Sequence, residues 1–93
     1  MNRELIRTTA FIRAARRYLK KHPDGVDKLE EALLRLSNDA FDPRLKSHKL
    51  KGDLDGVWAS SVERDQRILF EFVQHEGTEA ILLLTLGTHD EVY

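Results

Sequence analysis

The apolar residues of this 93-residue chain change their spacing once, and that change decides what the chain can fold into. Up to Leu36 they recur at helical intervals; from Val57 onward they alternate or run together, as in strands. Helices that come first and strands that come last pack as two layers of an α+β domain, not as an alternating parallel α/β one. A chain of 93 residues buries one small core, so residues 1–93 are read as a single domain.

In the helical half, ELIRTT reads as a short strand that leads into a helix, with Thr8 or Thr9 as its N-cap. TAFIRAARRYLKKH sets Phe11, Ala14, Ala15, Tyr18 and Leu19 at helical spacing. Arg13, Arg16, Arg17, Lys20 and Lys21 fill its other faces. The residue before a proline avoids the α region, so this helix is expected to end near His22-Pro23. After the turn residues PDG, VDKLEEALLRLS places Val26, Leu29, Leu33 and Leu36 on one face of a second helix. Asp27, Glu30 and Glu31 lie in its early turns, where the helix dipole favours anions. The two helices are expected to form an antiparallel hairpin packed on a sheet.

A long loop follows, NDAFDPRLKSHKLKGDLDG, with aspartate turn signals and a basic centre. VWASSVE, RILFEFVQ and AILLLTL then read as the strands of an antiparallel meander, joined by ERDQ and HEGT. Gly77 is available for a positive-φ position in the second turn. AILLLTL is apolar on both faces and is expected to be central and covered on both sides.

Charge adds a second division. The formal net charge of −1 hides +6 over residues 1–51 and −7 over residues 52–93. So steep a split points to a basic face for a polyanion, set against the plainer reading of solvated helix surface. No apolar run approaches the roughly 20 residues that span a bilayer, and MNRELIRTT lacks the apolar core of a secretory signal. Without cysteine there are no disulfides and no thiolate sites, so a reducing cytoplasm is the expected location. His22, His48, His75 and His89 have no ligand-like spacing, and no phosphate loop or nucleophile elbow appears. Neither a metal nor a cofactor is expected.

The chemistry left to consider sits at strand ends. The long loop offers Lys46, His48, Lys49 and Lys51; the turn VERDQR offers Glu63, Asp65 and Arg67; GTHDEVY offers His89, Asp90 and Tyr93. In a meander the third strand exits at the end where the first two meet. Turn and C-terminal residues can therefore lie close together, whereas His48 joins them only if the loop folds back across the sheet. Against each candidate stands a structural role. His89 could cap a strand, Arg67 could pair with Asp65 or Glu63, and the Tyr93 ring could cover the sheet end. Trp58 reads as packing, and His22 and His75 read as solvent-facing.

The order of F-x-R-A-x-(K/R)-(K/R), LKSHKLKGDLDG, the arginine of DQRILF and GTHDEVY resembles the RelE/ParE superfamily of bacterial toxins, most closely its YafQ-like branch of ribosome-dependent mRNA endonucleases. The resemblance covers nearly the whole chain and implies a β-α-α-β-β-β fold. It implies RNA cleavage by attack of a ribose 2′-OH on the adjacent phosphate, which needs a base, an acid and a cation for the phosphate. By the same resemblance, His48 and His89 match the two histidines of HKLKG and GTH. Asp65 matches the acidic turn residue, Tyr93 the C-terminal aromatic and Arg67 a phosphate-binding arginine. Lys46, Lys49 and Lys51 would follow the RNA backbone, and Arg13 and Arg17 would dock on ribosomal RNA. Partners implied are a cognate antitoxin, mRNA in the ribosomal A site and ribosomal RNA, with no membrane. Two departures stand out: Ser61 where the branch has a further histidine, and Gln66 where it has an aromatic. They keep two alternatives in view, a ParE-like inhibitor of DNA gyrase that cleaves nothing, and a catalytically impaired relative that acts as an interaction module.

Overall fold

Thr8 holds the junction where strand β1 (Leu5–Arg7) becomes helix α1 (Thr9–Lys21) in the computed structural model, which describes residues 2–63 and 65–92. Its hydroxyl oxygen accepts from the Phe11 N–H at 3.1 Å, and its hydroxyl donates to the Leu83 carbonyl at 2.7 Å. One side chain thus caps the helix and ties it to a distant strand. α1 buries Phe11, Ala14 and Tyr18 and stops at His22, as the following proline requires. A single 3-10 turn, Pro23–Gly25, leads into α2 (Val26–Asn38). The buried face of α2 is Leu29, Ala32 and Leu36, with Leu33 partly buried beside them. Val26, expected inside, is the first helical residue and stays 40% exposed.

Beyond α2 the loop is pinned by side chains. Asp42 accepts from the Arg44 N–H at 2.9 Å and caps the 3-10 turn Pro43–Leu45. Lys46 then takes a left-handed conformation, φ 51°, and reverses the chain. The Ser47 hydroxyl lies 2.6 Å from the Ala40 carbonyl and 2.7 Å from the Ser60 hydroxyl. These contacts press the next two residues, β2 (His48–Lys49), against β3 (Trp58–Glu63) as an antiparallel edge strand. β4 (Gln66–His75) and β5 (Thr78–Gly87) complete the meander. Their turn has positive φ at both Glu76 and Gly77, the twist that a two-residue hairpin needs.

The sheet order is β1-β5-β4-β3-β2, with β1 parallel to β5 and the other pairs antiparallel. Both helices contribute to one core on one face, where Phe11, Tyr18, Leu29 and Leu36 meet Ile68, Phe70, Ile81 and Leu83. β5 is interior to the sheet, as expected, but its second face is not covered by a helix, and Leu82 and Leu84 remain half-buried. Its apolar run has another cause. The pairing of β4 with β5 slips at Leu69/Phe70, opposite Thr85 and Leu83, leaving Leu84 as an extra residue. That bulge lets Ile81, Leu83 and Leu86 all face the core despite their uneven spacing. The Thr8 hydroxyl lies 3.2 Å from the Leu84 carbonyl at the same point.

Candidate functional site

Strand register places the candidate residues. Ser61 pairs with Arg67, and Arg67 with Gly87; one row along, His48 pairs with Ala59, Ala59 with Leu69, and Leu69 with Thr85. Paired residues share a face, and successive residues alternate. Ile68 and Leu86 point into the core, so both rows belong to the face opposite the helices. With strands about 4.8 Å apart and a rise of about 3.3 Å per residue, the Cα atoms of His48 and Arg67 are about 12 Å apart. The loop does not cross the sheet; it runs back along the edge for two residues, beside Trp58 and Ala59 at the entry end of β3, where Ser47 hooks it to Ser60.

His48 is exposed on the edge strand, with Nδ1 3.1 Å from the Lys46 carbonyl oxygen. A carbonyl only accepts, so Nδ1 carries the hydrogen, and the lone pair of the neutral ring lies on Nε2. Arg67 is half-buried; its Nη1 donates to the Gln66 carbonyl at 3.3 Å and to the Glu63 carbonyl at 3.5 Å. The Glu63 carboxylate is 3.3 Å from Lys28 Nζ. Asp65 is exposed in the turn. His89 opens the short helix α3 (His89–Val92), two residues beyond the Gly87 that pairs with Arg67. Its side chain is 62% exposed, with Nδ1 3.7 Å from Asp90 Oδ1. Thr88 and Glu91 fix this corner reciprocally. The Thr88 N–H donates to Glu91 Oε1 at 2.8 Å, and the Glu91 N–H donates to Thr88 Oγ1 at 3.3 Å, a capping box. The Thr88 backbone bond, then its hydroxyl, then Lys21 and Arg17, hold the Glu91 carboxyl below its ordinary value. Tyr93 lies outside the described residues.

The lysines separate. Lys49 follows His48 directly, yet it points to the helix side, with Nζ 5.9 Å from the Trp58 ring centroid. Lys46 and Lys51 are exposed along the loop, and Arg13 and Arg17 are exposed on α1. Trp58 packs in the core edge against Phe41 and Phe72, as its sequence position suggested. His75, read as solvent-facing, is exposed and makes a surface contact with Glu4 at 2.9 Å. Ser61 faces the site beside Arg67, whereas Gln66 is turned inward and only 8% exposed. Among the described residues, no group of three or more His, Asp or Glu could hold a metal ion. No helix among them is long and apolar enough to cross a membrane.

Behind the site the sequence hides a cleft of about 210 Å³ between the C-terminal half of α1 and the exit of β5. Arg17, Tyr18, Lys21 and His22 line one wall; Gln66, Thr88 and Glu91 line the other. The Tyr18 hydroxyl is buried and has no hydrogen-bond partner among the described residues. Burial, and then the charge of the nearby Glu63 carboxylate, push its phenol up to about 12. The Glu63 carboxylate acts on that proton by hydrogen bonding as well as by charge, from a position short of good bonding geometry.

A family model described as the bacterial toxin of type II toxin-antitoxin system, YafQ, matches residues 3–93. The solved structure of YafQ from E. coli strain BL21(DE3) superposes with a TM-score of 0.80 at 19% identity, covering 98% of each chain. The E. coli DinJ-YafQ toxin-antitoxin complex gives 0.79 at 20% identity, over 100% of this chain and 99% of that one. A YoeB/ParE toxin from Agrobacterium tumefaciens gives 0.76 at 16% identity, over 92% and 98%. At these identities the superpositions speak for the fold. No curated protein sequence matches the chain significantly.

Proposed function

The chain belongs to the YafQ family of bacterial type II toxins, and from that premise we propose that it is a ribosome-dependent mRNA endonuclease. The observation that supports this most is a single juxtaposition. Arg67 pairs with Gly87, two residues before His89, on the sheet face that also carries His48. A phosphodiester laid across that face meets a base, a cation and an acid in turn.

His48 Nε2 takes the proton from a ribose 2′-OH as its oxygen attacks the adjacent phosphorus. The bond to the 5′-oxygen breaks, and His89 supplies the proton to that leaving oxygen. The products are a 2′,3′-cyclic phosphate and a 5′-hydroxyl. Arg67, permanently charged, stabilises the phosphorane oxygens. Asp65, in the turn that leads into β4, would bias the Arg67 end of the site. Tyr93 would stack on an unpaired base. Lys46, Lys51, Arg13 and Arg17 would carry the backbone of mRNA in the A site and of ribosomal RNA; Lys49, expected among them, is turned to the helix side over Trp58. An antitoxin is the protein partner, as DinJ is for E. coli YafQ. An acidic antitoxin segment would complement the basic first half of this chain.

Primer extension on a defined mRNA after induction, with His89→Ala alongside, tests the reading. Codon-registered cuts that vanish in the variant are the expected result. Intact mRNA from both proteins would reject it. A DNA-damage response would then point to the gyrase-inhibiting branch, and no growth defect to an interaction module, the reading that Ser61 and Gln66 favour.

A further inference from the structure

We propose that the cleft between α1 and the exit of β5 binds a second phosphodiester of single-stranded RNA, and that Glu91 is a built-in competitor for that position. The identity of the polyanion rests on the RNA-cleaving reading above; the cleft itself does not.

Three observations meet there. The first is charge. Arg17 and Lys21 stand one helical turn apart on the same wall, with His22 beside them. Among the described residues neither Arg17 nor Lys21 makes a direct ion pair. This is the C-terminal end of α1, the negative end of its dipole. An anion here is held by side chains and not by the helix, which accounts for the need for several basic groups. The second is the Gln66 amide, on a residue only 8% exposed that lines the same cleft; the Tyr18 ring adds to the wall, but its hydroxyl is turned away, against Gly25 and toward Glu63. The third is Glu91, whose carboxylate already lies under the influence of Lys21 and Arg17. It occupies, from within the chain, the electrostatic position that a phosphate would take.

A phosphate suits the cleft better than a second carboxylate. Arg17, Lys21 and the Gln66 amide offer donors from different walls, and a tetrahedral anion can meet them together. Thr88 forms part of the wall, and His89 is the next residue. A strand crossing the open face to His89 therefore reaches the cleft by turning around the end of β5. When it does, Glu91 must swing out, and its capping box with Thr88 opens.

The test uses a six-nucleotide single-stranded RNA with 2′-O-methyl riboses, which has no nucleophile and cannot be cleaved. Fluorescence anisotropy reads affinity, and NMR reads the Lys21 and Thr88 amides. Lys21→Ala and Arg17→Ala should each weaken binding about five- to tenfold and lower the salt slope by about 0.7, one phosphate contact on a single strand. Glu91→Gln should tighten binding several-fold while keeping α3, because glutamine also serves in a capping box. Thermal melts confirm that each variant is folded. Affinities within twofold across all three variants, or weaker binding by Glu91→Gln, would overturn the proposal. So would an acidic hexapeptide that shifts the cleft amides when the RNA does not. Codon-registered cuts with unchanged affinities would sink the cleft alone. Variant-sensitive binding without cuts would uphold the cleft and sink the nuclease reading.

Discussion

Replacing Thr8 by alanine should remove about 2 kcal/mol of stability. The hydroxyl accepts one bond and donates toward two carbonyls, those of Leu83 and Leu84. As N-cap it satisfies the Phe11 N–H at 3.1 Å, and loss of such a cap costs about 1 kcal/mol. As donor it meets the Leu83 carbonyl at 2.7 Å in a half-buried setting, and a bond of that kind contributes about 1 kcal/mol. The Leu83 carbonyl keeps the Thr8 N–H at 3.3 Å, whereas the Leu84 carbonyl at the bulge loses its 3.2 Å contact with the hydroxyl, so the two contributions are a floor for the loss. For a domain of this size the midpoint of thermal unfolding should fall by about 8–16 °C. Urea denaturation should show a lower midpoint with unchanged slope. Thr8→Ser keeps the hydroxyl and should stay within about 0.5 kcal/mol of the parent. An alanine variant as stable as the serine one would refute the reasoning, because the hydroxyl would then tie nothing together.

Gly25→Ala would set a Cβ 2.5 Å from the Tyr18 hydroxyl, so overpacking should cost about 1–3 kcal/mol; adding Tyr18→Phe should restore part of it in the same melts. Raising pH should weaken the fold between about 10, the ordinary phenol value, and about 12, where folded Tyr18 titrates, because only the unfolded chain loses its proton in that window. Tyr18→Phe should flatten that limb of the stability–pH curve. Asp42, held down to about 2 by the Arg44 side chain and backbone, contributes stability above about 4 that disappears as pH falls to about 2. Asp42→Asn should blunt that acid limb. Glu76 carries φ 52° beside Gly77, so Glu76→Asn, which tolerates that conformation, should stabilise the hairpin by a few tenths of a kcal/mol in urea titrations.

Sequence periodicity locates α1, α2 and the meander because each element buries one repeating face. Pro23 marks the end of α1 for a steric reason that needs no tertiary knowledge. Three features escape that reading. β2 is two residues long and exists because Ser47 reaches Ser60, a pairing that no pattern announces. The bulge at Leu84 re-aims half of β5 and makes a one-sided strand look two-sided. Ala32 replaces Val26 inside because helical position alone does not say where the core ends. For the site, antiparallel topology was enough to bring Arg67 and the segment leading to His89 to one sheet end. It could not separate Lys49 from His48, which face opposite ways on one short strand. The cleft behind them was invisible because its walls come from α1, β4 and the β5 exit, remote in sequence and joined only in the fold.

The parallel pairing of β1 with β5 has a consequence for the chain's own synthesis. Leu5 waits for Ile81, and the Thr8 cap waits for Leu83. β5 is also the strand against which α1 packs most extensively. Nothing translated before it can close the core, so the nascent helices emerge without the surface that would retain them. Residues 88–89, which deliver the candidate histidine, follow immediately after the strand that completes the fold. A domain built in this order closes only after β5 has left the ribosome, the machine proposed as its target.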